Sequence, residues 1–154
     1  MNTLCCFYDM AVSPCSYDFF TFLYSAEACR LRRGLDDVKL IFIQGPKDRF
    51  RDDEVRTNEQ NETFFENVVI PGMSLLDSCS SFMWLPRNEA SFSGLSVEYI
   101  FPRGYQLDIP TFEYGAPSLV ASLIRGDKHG FLEAPSYAKS LAENLIKNKC
   151  PGEN

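Results

Sequence analysis

The residues best placed to do chemistry occur in one short stretch near the start of the chain, Phe7–Asp18 (FYDMAVSPCSYD). The stretch follows a short apolar run and precedes a segment with helical spacing, so it is predicted to connect a strand to a helix. It carries Asp9, Ser13, Tyr17 and Asp18 and contains no glycine. A phosphate-binding turn would carry several glycines. These side chains therefore favour a polar, hydroxyl-rich ligand such as a sugar or another polyol.

Asp9 has two interpretations from the sequence. Its carboxylate can accept hydrogen bonds from ligand hydroxyls or act as a base, which makes Asp9 the one weak candidate for a catalytic residue. It can instead cap the turn by accepting hydrogen bonds from nearby backbone N–H groups, which is the interpretation we favour. The sequence identifies no further catalytic residue, since no histidine stands near Ser13 or Ser16 to activate a serine nucleophile.

Three further loops are predicted to leave strands at the same edge of the sheet, at residues 44–57, 86–88 and 102–108. Ligands bind at this edge in open parallel sheets, because the loops that follow the strands converge there. We therefore expect one substrate-binding cluster made of Asp9, Ser13, Tyr17, Asp18, Arg49, Arg51, Arg103 and Tyr105.

Arg49 and Arg51 also have two interpretations. Their guanidinium groups can neutralise a phosphate or carboxylate on a ligand. They can equally pair with the acidic residues that follow them in the same loop, Asp52, Asp53 and Glu54.

The elements that must position these loops follow from the hydrophobic pattern. Apolar runs predict strands near residues 4–8, 38–43, 81–85 and 97–101. The first connection is an amphipathic helix that Ser16 can cap and that ends at Gly34. The second helix is predicted to begin either at a capping box of Thr63 and Glu66 or earlier, and to be kinked or split at Pro71. This alternation favours an α/β fold, a Rossmann-like three-layer domain with a mainly parallel sheet and helices on both faces.

The chain, residues 1–154, is predicted to be a single domain with its core in residues 4–105 and a helical part in residues 115–150. Pro117 and Pro135 are each predicted to open a helix in that second part. The last helix has an apolar face that we expect to be its buried side: Tyr137, Ala138, Leu141, Ala142, Leu145 and Ile146. If the chain is half of a two-domain protein, Tyr137, Leu145 and Ile146 should instead be exposed where the second domain docks.

Composition excludes several classes of protein. A formal net charge of −6 disfavours a nucleic-acid partner. No apolar run approaches the roughly 18 residues of a membrane span. The N-terminus lacks the features of a signal peptide, so six cysteines predict reduced thiols in a cytoplasmic protein. No metal or cofactor is predicted, because the chain has one histidine and no CxxC, GxGxxG or GxxxxGK[ST] motif.

Five features occurring in one order resemble a known family. They are FYDMAVSPCSYDFFTFLYSAE, RLRRGLDDVKLIFIQGP, KDRFRDD, the helix with an internal proline, and FPRGY. Together they resemble the N-terminal half of bacterial glycosyltransferase-like proteins with the GT-B fold, a largely uncharacterised family. The resemblance covers roughly Leu4 to Tyr105. It implies an acceptor-side domain whose partner, a C-terminal nucleotide-sugar-binding domain, is missing from these 154 residues.

Three functions remain open from the sequence. The leading one is the acceptor-side half of a glycosyltransferase, inactive as the 154-residue chain. The alternative is a stand-alone Rossmann-like module that binds a small molecule or a protein without catalysis. A small complete enzyme that handles nucleotides or phosphates is disfavoured by the missing phosphate loop. A reading frame that continues past Asn154 with further strands and helices would support the first, and a stop codon the second.

Overall fold

The computed structural model describes residues 2–52, 55–91, 94–112, 116–126, 132, 134 and 136–149. Within these residues four strands form one sheet: β1 (Thr3–Asp9), β2 (Asp37–Ile43), β3 (Cys79–Leu85) and β4 (Ile100–Phe101). Their order is β3-β2-β1-β4, and every neighbouring pair is parallel. The prediction of an α/β domain with a parallel, Rossmann-like sheet is confirmed.

The fourth strand is shorter than predicted. Val97–Tyr99, expected as strand, is a 3-10 turn, and the prediction is wrong there. The turn forms because the Ser96 side chain accepts a hydrogen bond from the Glu98 N–H and the Ser96 carbonyl accepts one from Tyr99. Only two residues remain to pair with β1, opposite Cys5 and Cys6, before Pro102 follows without an N–H to continue the ladder.

Helix α1 (Asp18–Arg33) connects β1 to β2 as predicted. Its buried face has helical spacing, with Phe19, Phe22, Leu23 and Ala26 at most 1% exposed. The Ser16 hydroxyl accepts a hydrogen bond from the Asp18 N–H at 3.2 Å. Gly34 ends the helix with φ +63°, a left-handed conformation that a side chain would strain.

The second helical segment begins before Thr63, the earlier start that the sequence left open. Helix α2 (Asn58–Phe64) starts at a capping box of Thr57 and Gln60, so the alternative start at Thr63 and Glu66 is not the one that forms. Both pairs have the required spacing, but Thr57 has the extended backbone of a residue that precedes a helix, with ψ 161°. The first available box therefore starts the helix.

Pro71 lies within a helical segment that changes its type around it without ending, since Phe65, Ile70 and Met73 all keep right-handed helical backbone angles. A π-helical stretch, Phe65–Val69, follows α2 and leads into the single turn α3 (Ile70–Gly72) and a 3-10 turn, Met73–Leu75. The proline lacks the N–H that would continue the regular ladder. Gly72 then lies against α1, where a Cβ atom would stand 2.5 Å from the Phe20 ring.

The sheet buries its two faces unequally. The helical face holds the larger core, with Tyr8 and Phe42 among its fully buried aromatic residues. The opposite face buries Phe7, Ile41, Ile43 and Ile100. In the described part of the chain this second face is covered by partly buried residues of strands and connections, not by a long helix: Cys5, Leu85, Ala90, Tyr105 and Leu107.

Two helices follow the sheet, α4 (Ala116–Ile124) and α5 (Ser136–Lys149). The burial predicted for the apolar face of α5 is wrong, because Tyr137, Leu141 and Ile146 are 68%, 58% and 63% exposed. Tyr137 and Ile146, two of the three residues named as a possible docking surface, are thus exposed. Pro135 and the Leu145 side chain lie outside the described part.

Candidate functional site

The strand order places a topological switch point between β1 and β4. From β1 the chain moves to β2 and β3 on one side, and β4 then adds on the other side. Loops that leave the C-terminal ends of β1 and β4 therefore diverge and open a crevice. Asp9 is the last residue of β1, and Tyr105 lies four residues beyond β4.

Asp9 is the centre of a buried polar cluster at this point, with 2% of its surface exposed. Its Oδ1 atom accepts hydrogen bonds from the Ala11 N–H at 2.9 Å and from Nη2 of Arg87. Its Oδ2 atom accepts one from the Tyr105 hydroxyl at 2.5 Å. The bond from Ala11 is the turn-capping contact predicted for Asp9. The other two tie loops after β3 and β4 to the end of β1.

Arg87 connects this cluster to the surface. It begins a 3-10 turn, Arg87–Glu89, directly after Pro86 ends β3. Its Nη1 atom donates to the Leu107 carbonyl at 2.8 Å, and its Nη2 atom donates to Asp9. These bonds use two of the five N–H donors of a guanidinium. The side chain is 33% exposed, so Arg87 is held from behind while remaining accessible to a ligand.

Tyr105 is held on two sides. Its ring stacks on Phe7 with centroids 5.1 Å apart and planes 4° apart, and its hydroxyl donates to Asp9. Burial, together with the Asp9 carboxylate, raises the pKa of Tyr105 far above its usual range. Tyr105 therefore stays protonated at neutral pH and acts as a fixed hydrogen-bond donor.

A cleft of about 710 Å³ opens beside Arg87 along the ends of β1, β2 and β3. The residues that line it come from the loops after these strands and from the segment after β4: Ala11, Gln44, Gly45, Pro46, Arg87, Asn88, Leu107, Asp108 and Pro110. They combine one guanidinium, one carboxylate and two amides with small apolar surfaces. Such a set can both donate hydrogen bonds to a ligand and accept them from it.

The wall of the cleft after β2 is a tight turn. Gly45 and Lys47 donate backbone hydrogen bonds to the Arg49 and Phe50 carbonyls, each at 2.9 Å. A Cβ atom at Gly45 would lie 2.6 Å from the Met10 carbonyl oxygen and closer still to that of Phe50. Phe50 is 2% exposed and anchors the turn in the core. Only glycine permits this close packing of the second loop on the first.

Of the eight residues predicted to form one cluster, the structure joins Asp9 and Tyr105 directly. Ser13 is buried beside them, and its N–H donates to the Asp9 carbonyl at 2.7 Å. Tyr17 is 68% exposed and packs on Phe20 and Phe64, away from the residues that line the cleft. Asp18 accepts a hydrogen bond from the Ser16 hydroxyl at the start of α1.

The arginines of the predicted cluster lie elsewhere. Arg49 pairs with Glu62 of α2 and lies 5.6 Å above the Trp84 ring. Arg51 donates to the Val12 carbonyl at 3.4 Å and so ties the second loop to the first.

The ion pair that Arg49 forms is therefore with α2 and is not the one predicted within its own loop. Its positive φ of 83° belongs to the tight turn, and its guanidinium pairs with α2. Lys47 instead pairs with Asp52, while Asp53 and Glu54 lie outside the described residues.

Arg103 lines a separate cavity of about 590 Å³ with Asn2 and Arg33. Asn2 precedes β1 and Arg33 ends α1, so this cavity lies at the opposite edge of the sheet. Arg103 also lines a smaller cavity of about 260 Å³ with Tyr105, and it is not among the residues that the structure shows bonded to the Asp9 side chain. Tyr105, two residues later, reaches Asp9 instead.

Sequence reasoning missed Arg87, Asn88, Gln44 and Asp108 as individual site residues. The signal was present, since each lies in a loop that the sequence places after a strand at the C-terminal edge. Residue types alone did not separate them from other polar loop residues.

Within the described residues no group of three or more histidine, cysteine, aspartate or glutamate side chains could hold a metal ion. No described helix is long and apolar enough to cross a membrane. Comparison of the chain with protein-family models, with curated proteins and with solved structures finds no match. What the cleft can bind is therefore inferred from its lining residues and their arrangement.

Proposed function

We propose that this chain is the acceptor-side domain of a glycosyltransferase of the GT-B type and that its cleft binds a sugar or polyol acceptor. The observation that carries the proposal is the convergence of Arg87, Asn88, Gln44 and Asp108 on one cleft at the switch point of a parallel sheet. The resemblance to GT-B proteins in residues 4–105 supports the same function.

The polar groups of the cleft suit hydroxyls. A hydroxyl both donates and accepts hydrogen bonds, so it matches the Arg87 donors, the Asp108 acceptors and the mixed amides of Gln44 and Asn88. The apolar surface of Leu107 suits the C–H groups of a sugar ring. A volume of about 710 Å³ lies within the usual range for small-molecule sites.

The two carboxylates of the site have separate roles in this proposal. Asp9 is buried and already accepts three hydrogen bonds, so it positions Arg87 and Tyr105. Asp108 is exposed and lines the cleft, so it is the carboxylate that an acceptor hydroxyl can reach. It takes the hydroxyl proton as the oxygen bonds to the anomeric carbon of a nucleotide sugar. The bond from that carbon to the phosphate breaks, and its electron pair leaves with the nucleotide.

The donor would be held by a second domain. Exposed apolar side chains on α4 and α5 offer that domain a surface, with Ile124, Tyr137 and Ile146 between 63% and 81% exposed. The chain alone would then bind acceptor without transferring sugar.

An NMR titration of the ¹⁵N-labelled chain with neutral oligosaccharides tests the binding step. We expect affinity on the order of millimolar, because an isolated acceptor site lacks the second domain that would enclose the ligand. Shifts should concentrate at Ala11, Asn88 and Asp108. Asn88→Ala should weaken binding, whereas Asn67→Ala, an exposed position in the π-helical stretch, should not. Shifts scattered over the surface, or equal losses in both variants, would count against the cleft.

A second experiment tests transfer. In a protein that contains both domains, Asp108→Asn should abolish sugar transfer from the nucleotide sugar while acceptor binding persists. Unchanged transfer would remove Asp108 from the chemistry. Binding without transfer in the native-length protein would favour the stand-alone binding module. Unchanged binding and transfer in Asp9→Ala would leave Asp9 only its turn-capping role.

A further inference from the structure

The charges around the cleft do not balance. Two charged side chains line it, Arg87 and Asp108. The positive charge of Arg87 is offset by Asp9, which lies behind it with 2% of its surface exposed. Asp108 has no salt bridge within the described part of the chain. The three side chains together therefore carry a net charge of −1. That charge lies on Asp108, where a ligand in the cleft would contact it.

Arg87 is already engaged by two protein acceptors. The strong contact between arginine and a carboxylate uses two parallel N–H bonds from two nitrogens. Nη1 already donates to Leu107 and Nη2 already donates to Asp9. Three of the five N–H groups remain, but every pair of guanidinium nitrogens includes one of these two, so a two-bond contact with a ligand carboxylate would share a nitrogen with Leu107 or Asp9.

We infer that this cleft selects neutral sugars or polyols and rejects the corresponding acidic ones, and that Asp108 is the residue that sets this specificity. The inference rests on the proposed function, since it assumes that the cleft binds a polyol. An added ligand carboxylate would be repelled by Asp108, while the positive charge of Arg87 is already offset by Asp9. A neutral hydroxyl would instead donate a charge-assisted hydrogen bond to the same oxygens.

The test compares two probes that share one ring, methyl β-glucopyranoside and methyl β-glucopyranosiduronate. They differ in replacement of the C6 hydroxymethyl group by a carboxylate. Their dissociation constants would be measured by NMR titration at low salt and at about 1 M salt, where the screening length falls to about 3 Å. The variants are Asp108→Asn and Asp77→Asn. Asp77 is an exposed aspartate just before β3, at the opposite edge of the sheet.

In the parent at low salt we expect the acid to bind about tenfold more weakly than the neutral sugar, a difference of about 1.4 kcal/mol. In Asp108→Asn the dissociation constants of the acid and the neutral sugar should lie within about twofold of each other, because the amide keeps an acceptor oxygen but loses the charge. High salt should reduce the difference between the two dissociation constants in the parent, and Asp77→Asn should leave that difference unchanged.

Equal or tighter binding of the acid by the parent would overturn the inference while leaving polyol binding in place. A tenfold gap that persists in Asp108→Asn would overturn the role given to Asp108. If neither probe shifts the cleft residues up to roughly 100 mM, both this inference and the proposed binding function fail.

Discussion

A carboxylate–guanidinium pair occurs at each edge of the parallel sheet, and the two pairs are built differently. At the N-terminal edge, Glu27 accepts two bonds from Arg30 at 2.7 Å and one from the Ser78 hydroxyl at 2.6 Å. Nη1 of Arg30 also donates to the Leu35 carbonyl at 2.7 Å. At the C-terminal edge, Asp9 holds Arg87, and part of the guanidinium remains accessible from the cleft.

The two pairs differ in the exposure of the arginine and in how many of its nitrogens donate to protein acceptors. Arg30 is 15% exposed and all three of its side-chain nitrogens donate to protein acceptors, so this pair fastens the end of α1 to the starts of β2 and β3. Arg87 is 33% exposed and donates to protein from two nitrogens. The carboxylate–guanidinium pair at the N-terminal edge thus only stabilises the fold. The pair at the C-terminal edge also leaves part of the Arg87 guanidinium exposed in the cleft.

The largest effect is expected from Asp9→Ala. The variant leaves the Arg87 guanidinium and the Tyr105 hydroxyl without their shared acceptor at a site that is otherwise buried. Breaking a buried pair in this way should lower the free energy of unfolding by about 3 kcal/mol, the low end for such pairs because Arg87 is partly solvated. Urea denaturation measures the loss. Asp108→Ala, which removes an exposed carboxylate from the same cleft, should cost less than about 0.5 kcal/mol, and a comparable loss there would contradict the distinction between the two carboxylates.

The next largest effect is expected from Glu27→Ala, which should lower the free energy of unfolding by about 2 kcal/mol. Arg30 keeps its bonds to the backbone carbonyls after Gly34, so its charge is not left entirely without acceptors. Acceptor binding measured by NMR should be unchanged, since this pair lies at the edge opposite the cleft. Glu66→Ala, on the exposed side of the π-helical stretch, is the control for loss of one glutamate. Loss of ligand binding in Glu27→Ala would mean that the two edges are coupled.

The Glu27 pair also predicts a dependence on pH. Burial would raise the pKa of Glu27, but hydrogen bonds from Arg30 and Ser78 and the charge of Arg30 hold it below its usual range. The stabilisation is therefore fully present above the unfolded-state pKa of about 4.3 and is lost as the pH falls through the lower folded-state pKa. The difference in unfolding free energy between the parent and Glu27→Gln should be constant near neutral pH and should shrink below about pH 4. A difference that stays constant to the lowest pH would contradict the ion-pair account.

The smallest effect is expected from Tyr105→Phe. The ring keeps its stacking on Phe7, and Asp9 keeps its bonds from Arg87 and Ala11. Loss of one hydrogen bond to a carboxylate should cost about 1 to 2 kcal/mol in urea denaturation. Tyr99→Phe, a partly buried tyrosine from the turn before β4, is the matched control. A cost equal to that of Asp9→Ala would show that Tyr105, not Arg87, is the main partner of Asp9.

Local patterns were sufficient to predict most of the sheet and its first connection. The apolar runs of β1, β2 and β3 and the spacing of Phe19, Phe22 and Leu23 on α1 depend only on which neighbours along the chain share a face. Gly34 ends α1 for a reason that is equally local, because glycine adopts the left-handed conformation without strain. The sequence left the start of α2 open. It predicted β4 too long, because the hydrogen bonds of Ser96 that form the turn at Val97–Tyr99 compete with strand pairing.

The site was decided by tertiary structure. Asp9 meets Arg87 across 78 residues and Tyr105 across 96, and neither separation has a periodicity that a sequence pattern could reveal. The sequence did determine the edge of the sheet at which they meet, because parallel strands bring their following loops together there. It did not determine that Asp9 would be buried beneath Arg87 while Asp108 stayed exposed. That outcome depends on how the turn after β4 packs Tyr105 against Phe7, which is a contact between distant parts of the chain.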